Sequence, residues 1–194
     1  MLYRCVVIGD ACARKTELLS LFTRGHLPDE YAPSIFDEQV SEIQYVFILP
    51  VTSNIEIPFI LLSYRADESP RVEDQELSLI LSDVTGAEEY ENYIGTILSG
   101  ADIVIICFLQ GYPPEDENVG KWRDSVKRYC LHARCLLAGI MGPGSEMNAD
   151  WCMRHGKKLA ADLGISSYIQ CNLEKGPSLG GVDDLFETVG SLGI

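Results

Sequence analysis

Residues 9–16 read Gly-Asp-Ala-Cys-Ala-Arg-Lys-Thr, and this stretch decides the fold. It follows an apolar, β-branched run at 2–8 and precedes leucines with helical spacing at 16–24. This context matches the phosphate-binding P-loop, G-x-x-x-x-G-K-[ST], except that Arg14 stands in place of the second glycine. The sequence therefore predicts a P-loop with Gly9, Lys15 and Thr16 at its phosphate site.

Arg14 is the departure that matters most in this motif. In an intact loop, backbone N–H groups and the helix N-terminus surround the phosphate, the lysine neutralises it and the threonine hydroxyl binds Mg²⁺. A side chain at the second glycine enters the space where backbone approaches phosphate, and glycine there often supplies a positive φ. Two alternatives stay open for the guanidinium: it lies outside the loop, or it contacts the phosphate itself.

The rest of the chain alternates between strand and helix patterns. Strands are expected around 38–45 and at 76–82, 103–108, 135–138 and 167–171, with helices at 115–129, 148–163 and 182–192. This alternation predicts an α/β fold with a doubly wound, mostly parallel sheet and helices on both faces. At 194 residues, the chain suits a single domain spanning 1–194.

One apolar block, at about 46–70, lacks a helical or strand period and is interrupted by three prolines. We interpret it as an atypical insertion. Three alternatives stay open for it: a hairpin or loop that packs locally, an exposed partner-binding patch, or an unspliced intron translated into protein.

Charge and cysteine usage narrow the function classes. Acidic residues outnumber basic ones 29 to 15, which gives a net charge of −14. This charge argues against a nucleic-acid-binding surface and does not favour attraction to anionic lipid. Seven cysteines without CxxC pairs suit a reducing compartment. No secretory signal opens the chain, and its last residues show no lipid anchor, so either the protein is not lipidated or the tail is missing from this sequence. We expect a cytoplasmic protein that is membrane-peripheral, if at all, through partners.

Four stretches occur in the order found in one family: Cys-Val-Val-Ile-Gly-Asp at 5–10, Phe-Thr-Arg-Gly at 22–25, Pro-Asp-Glu-Tyr-Ala-Pro-Ser-Ile-Phe-Asp at 28–37 and Asp-Val-Thr-Gly at 83–86. With them the chain resembles the Rho-family small GTPases, and most of all fungal Rho proteins of the polarity and exocytosis type. The resemblance implies a Ras-like G domain, GTP or GDP with Mg²⁺ as ligands, and protein effectors or regulators of Rho-type GTPases as partners.

The resemblance also assigns roles to single positions. It implies phosphate contacts, if binding is retained, from Gly9, Lys15, Thr16 and Gly86, and Arg14 joins this set under the alternative in which its guanidinium contacts the phosphate. It implies Mg²⁺ contacts from Thr16, Ser34 and, through water, Asp83. The partner-facing switch I residues would be Tyr31, Pro33, Ile35, Phe36 and Asp37.

Hydrolysis and base recognition depart from the family pattern. Ala87 replaces the water-positioning glutamine, so no catalytic residue is assigned, and Ala11 adds a methyl group near the reacting water. Pro143 replaces the aspartate that binds guanine, a loss of about 2–4 kcal/mol. Leu27 replaces the aromatic residue over the base, and the Ser-Ala of the last loop has become Asn-Leu at 172–173.

These departures converge on one ligand and predict a pseudo-GTPase that binds guanine nucleotide weakly or not at all. The alternative is a switch that binds GTP and cannot hydrolyse it, with Arg14 gripping phosphate. An ordinary GTPase with divergent motifs is a third hypothesis.

Overall fold

The computed structural model describes residues 2–28, 45–50, 76–83, 91–110, 115–142 and 148–192. Within these ranges the strands are β1 (Leu2–Gly9), β2 (Tyr45–Pro50), β3 (Glu76–Asp83), β4 (Ile103–Gln110), β5 (Arg134–Met141) and β6 (Ser167–Cys171). The helices are α1 (Lys15–Arg24), α2 (Glu91–Leu98), α3 (Glu115–Tyr129), α4 (Ala149–Asp162), α5 (Gly176–Leu179) and α6 (Val182–Leu192), with a 3-10 turn at Leu173–Lys175.

The described strands form one sheet in the order β2-β3-β1-β4-β5-β6. β1 lies between β3 and β4 and pairs with both in parallel, and the parallel pairing continues through β5 to β6. β2 joins the edge as an antiparallel partner of β3. The predicted doubly wound, mostly parallel α/β fold of the Ras-like P-loop class is confirmed.

Helices cover both faces of this sheet. Successive β1 residues alternate between the faces: Cys5 and Val7 pack with α1 and α6, whereas Val6 and Ile8 pack with α2, α3 and α4. Because both faces are buried, β1 is a continuous apolar run rather than an alternating one. After β1 the chain adds strands first on the β3 side of the sheet and then on the β4 side, so the loop after β1 lies at the point where the strand order reverses. Ligands bind at this point in doubly wound sheets.

Several elements differ from the sequence prediction. A strand was expected around 38–45, and the structure has β2 at Tyr45–Pro50, inside the block predicted as an insertion. Its apolar residues are held by backbone pairing with β3, which periodicity along the chain does not reveal. Residues 51–70, the rest of that block, lie outside the described residues. The helix α2 and the short α5 were not predicted.

Candidate functional site

The first residue of the P-loop motif is fixed by the neighbouring strand. Gly9 has φ 145°, and a Cβ atom there would lie 2.1 Å from the backbone oxygen of Cys107 on β4. No L side chain fits that space without moving the sheet. The start of the loop is therefore imposed by the pairing of β1 with β4.

The next residue, Asp10, ties the loop to α3. Its two carboxylate oxygens accept hydrogen bonds from Trp122 Nε1 and Asn118 Nδ2, each at 2.8 Å. Bonds to an ionised acceptor are among the stronger hydrogen bonds in proteins. The sequence pattern did not predict this attachment.

Lys15 lies at the centre of the loop and is 5% exposed. Its ammonium donates to the backbone oxygens of Gly9, at 3.0 Å, and Asp10, at 2.7 Å. These bonds hold the cation inside the loop at the first residue of α1, where a helix N-terminus also favours an anion. The geometry of this half of the site fits a phosphate group.

Arg14, at the N-cap of α1, has φ 54° and ψ 32° and is the one non-glycine residue with positive φ among the described residues. The position thus demands the left-handed conformation that the missing glycine would supply. Arg14 Nε bonds Glu17 Oε2 at 2.5 Å, and one Nη atom bonds Glu174 Oε1 at 2.8 Å. The guanidinium therefore lies outside the loop, on two carboxylates.

The hydrogen bond from Arg14 to Glu17 is the main reason why the pKa of the Arg14 guanidinium is raised, and burial opposes it. Arg14 therefore keeps its positive charge over the whole pH range in which a protein of this kind is handled.

Two of the predicted Mg²⁺ ligands, Thr16 and Asp83, lie in neighbouring elements of the fold. Thr16 is exposed in the first turn of α1. Asp83 ends β3 and is in register with Val7 of β1, so the two elements meet at the carboxyl edge of the sheet. Ser34, Gly86 and Ala87 lie outside the described residues, as does the whole switch I surface from Tyr31 to Asp37. No cluster of three metal-binding acidic, histidine or cysteine side chains occurs within the described ranges.

The base-recognition edge, at the ends of β5 and β6, has a different character. Ile140 is 0% exposed and packs in the core with α1 and α6. Met141 is also buried, and its Sδ accepts a hydrogen bond from Gln170 Nε2 at 3.1 Å. Pro143 itself lies outside the described residues. The end of β5 thus presents apolar and sulfur atoms where a guanine base requires hydrogen-bonding groups.

In the last loop, which follows β6, the Asn172 side chain forms a hydrogen bond within the loop itself. Asn172 Oδ1 accepts from the backbone N of Glu174 at 3.1 Å and caps the 3-10 turn. Leu173 is 1% exposed within the core. Leu27, at the position of the family's stacking aromatic, also packs against this core. In the described part of this edge the side chains do not fit a guanine base.

A buried polar contact fills the space beside this edge. Gln110, the last residue of β4, donates from Nε2 to the backbone oxygen of Cys152 and to Tyr168 Oη, both at 2.8 Å. Gly139 leaves room for this pair, because a Cβ atom there would lie 2.6 Å from Tyr168 Oη. Burial raises the pKa of Tyr168, so the phenol stays neutral. Nothing in the local sequence pattern around Gln110 indicates this network.

None of the helices in the described part of the chain is long and apolar enough to span a membrane.

Comparison with known proteins gives one consistent result. The chain is 29% identical to GTP-binding protein RHO2 of Saccharomyces cerevisiae over 193 residues, which cover 95% of this chain and 85% of the relative. It is 29% identical to GTP-binding protein rho2 of Schizosaccharomyces pombe over 196 residues, 95% of this chain and 83% of the relative. It is 24% identical to GTP-binding protein RHO1 of Saccharomyces cerevisiae, over 95% of this chain and 79% of the relative. No protein-family model matches the chain.

Proposed function

Since this chain belongs to the Rho family of small GTPases, we propose that it is a pseudo-GTPase of Rho-type signalling. It binds guanine nucleotide weakly or not at all and has no efficient GTP hydrolysis. It acts through protein contacts of the switch I surface, formed by Tyr31, Pro33, Ile35, Phe36 and Asp37.

The observation that carries this proposal is the apolar base-recognition edge. Ile140 is fully buried, and the Asn172 side chain is engaged by the backbone of its own loop. Pro143 stands in place of the family's aspartate, so this position offers no carboxylate for the bidentate contact that distinguishes guanine from other bases. A polar base placed against such a surface loses hydrogen bonds to water without regaining them.

Hydrolysis is affected separately from binding. Ala87 has no group that could orient an attacking water, and Glu88, the next residue in sequence, is a poor substitute because its side chain is an anion. Bound nucleotide, at whatever affinity, would therefore turn over slowly.

The test is direct. The purified full-length chain is denatured, and the released small molecules are separated by anion-exchange chromatography. We expect well below one mole of guanine nucleotide per mole of protein. A stoichiometric amount of GTP or GDP overturns the proposal.

A second candidate function is favoured by the phosphate side of the site. Lys15 is held inside the loop at the start of α1, in a geometry that suits a phosphate. This supports a switch that binds GTP and stays in one state because hydrolysis is impaired. Under that hypothesis a protein partner is retained only in the presence of GTP and Mg²⁺.

Phe36→Ala separates the two candidates. Under the proposal Phe36 is the apolar anchor for the partner, so the substitution should weaken partner capture while the thermal midpoint stays unchanged. For a pseudo-GTPase, capture by the unmodified chain is equal with GTP, GDP or EDTA. Capture that needs GTP and Mg²⁺ supports the locked switch instead.

A further inference from the structure

The side chain of Arg14 connects two loops that are distant in sequence and separated in the sheet. Arg14 follows β1, and Glu174 follows β6, with β4 and β5 between these strands. The Arg14–Glu174 bond of 2.8 Å therefore links the loop after β1 to the turn after β6. In doubly wound sheets the carboxyl edge of the strands is where ligands lie.

The contact is built from both sides. Glu17, one turn into α1, holds the other side of the guanidinium, and the Arg14 side chain is 15% exposed. On the far loop, the Asn172 cap fixes the backbone of Glu174, and the buried Leu173 anchors the turn in the core. Although the Glu174 side chain is 56% exposed, its backbone position is determined by buried neighbours.

The backbone of Arg14 has the left-handed conformation that this loop position requires, and the two carboxylates hold the side chain that projects from it. A left-handed non-glycine residue costs free energy and persists where the surrounding structure determines it. The surroundings here are the two carboxylates and the turn in which the N of Ala13 bonds the O of Asp10 at 3.0 Å.

We propose that Arg14, Glu17 and Glu174 form an ionic clasp that occupies the nucleotide cleft and replaces the ligand as the link between the P-loop and the last loop. A nucleotide lying across this edge would have to displace the Arg14–Glu174 pair. The carboxylates of Glu17 and Glu174 also neutralise the Arg14 guanidinium, which leaves less positive charge for an incoming phosphate. This deepens the proposed function, on which it rests for the expectation of weak nucleotide binding.

A double-mutant cycle on the nucleotide-free full chain tests the clasp. Arg14→Gln, Glu174→Gln and the double variant keep a non-glycine residue at position 14, so the backbone cost is the same in all. We expect each single variant to lower the thermal midpoint by roughly 2–4 °C, and the double variant to fall no further than Arg14→Gln. Strictly additive decreases overturn the clasp.

Glu187→Gln on α6 is the matched control, because Glu187 is exposed and its removal changes the net charge by the same amount. In a chain with a net charge of −14, losing one distant carboxylate should leave the midpoint unchanged or raise it slightly. A Glu174→Gln variant that behaves like Glu187→Gln also overturns the clasp. If Arg14→Gln does not fold, the Glu174→Gln difference should shrink in 1 M NaCl, and a difference that salt does not change counts against an ion pair.

The two proposals fail in different ways. Stoichiometric nucleotide in the purified chain contradicts the pseudo-GTPase assignment, whereas the coupling between positions 14 and 174 is measured without nucleotide. A fluorescent GDP analogue in Mg²⁺ gives the second readout: Glu174→Gln should bind it at least several-fold more tightly than Glu187→Gln does. Equal affinities would show that the clasp does not exclude nucleotide.

Discussion

The P-loop and the base-recognition edge lie at the same end of one sheet and have diverged in different ways. The P-loop keeps its glycine and its lysine in place, with Gly9 required by β4 and the Lys15 ammonium bonded to the backbone oxygens of Gly9 and Asp10. At the base-recognition edge, Ile140 has become part of the core and Asn172 caps its own turn. The loop geometry is needed by the fold itself, whereas polar groups that face a base serve only the ligand. Under the proposed function, this contrast explains why the P-loop keeps its form while the base-recognition edge does not.

The largest expected effect is that of Gly9→Ala, which tests whether the fold itself requires the P-loop geometry. Gly9→Ala places a methyl group 2.1 Å from the backbone oxygen of Cys107, at a φ that alanine rarely adopts. We expect a loss of about 3 kcal/mol or more in the free energy of unfolding, measured by urea denaturation. Gly120→Ala is the control, since a Cβ there meets nothing within 4 Å, and helix propensity should stabilise it by about 0.5–1 kcal/mol. Similar effects from both substitutions would contradict the argument.

The attachment of the loop to α3 should come next in size. Trp122→Phe keeps the aromatic packing but removes the donor to Asp10 Oδ1. We expect it to cost about 1–3 kcal/mol, since a hydrogen bond to a charged acceptor is lost. Lys127→Met is the control for a local change in α3, because Lys127 is exposed and makes only a long ion pair with Asp124, at 3.9 Å, so the unfolding midpoint should stay nearly unchanged. A neutral Trp122→Phe would show that the carboxylate is satisfied equally well by water.

Arg14→Gly tests the P-loop and the base-recognition edge together. It supplies the left-handed residue without strain and removes the clasp, so we expect guanine nucleotide affinity to rise by roughly tenfold, about 1.4 kcal/mol. Because the base-recognition edge is unchanged, GDP and ADP should compete for a fluorescent GDP analogue nearly equally. Phosphate release should stay slow, since Ala87 cannot orient water.

Three outcomes of the Arg14→Gly experiment would contradict these expectations. No gain in affinity would mean that Arg14 does not obstruct the phosphate side. A strong preference of Arg14→Gly for GDP over ADP would show that the base-recognition edge still selects guanine. Turnover typical of a working GTPase would refute the role given to Ala87.

The smallest expected effect is a difference in cysteine labelling between the P-loop and the base-recognition edge. Cys12 in the P-loop is exposed, whereas Cys152 and Cys171 on the base side are buried. Burial raises the pKa of the Cys171 thiol and that of Cys135, the latter to about 11, so these thiols stay protonated and unreactive near pH 7.5. Maleimide should therefore modify Cys12 first, as mass spectrometry of tryptic peptides would show. Equal labelling of Cys171 in the native protein would mean that the base side opens.

Much of the fold follows from short-range pattern. The strand-loop-helix context at 2–24 and the alternation from 103 onwards predict β1, α1 and the parallel sheet. The predicted bounds of β6 and α6 match the structure, because turns and glycines delimit them. β5 extends past the predicted 135–138 to Met141, since pairing with β4 continues through Gly139. The helix α2 had no pattern that we recognised.

The candidate site was predictable only in part. That position 14 needs a left-handed residue follows from the motif, and the structure gives that conformation. The roles of Gly9, Lys15, Thr16 and Asp83 in binding stay predictions, as do those of Ser34, Gly86 and the switch I residues. The attachment of Asp10 to α3 and the Gln110–Tyr168 contact were missed, because single buried polar pairs leave no periodic trace.

The sequence by itself determined the class of fold, the position of the P-loop at the end of the first strand, and the identity of the replaced residues. Those features depend on neighbours a few residues apart. Only the tertiary structure decided that Arg14 pairs with Glu174, 160 residues away, and that Ile140 is buried in the core. Such partners are set by the order of strands in the sheet and by which face each residue occupies. Local propensity carries no information about charges that meet only after the sheet has formed.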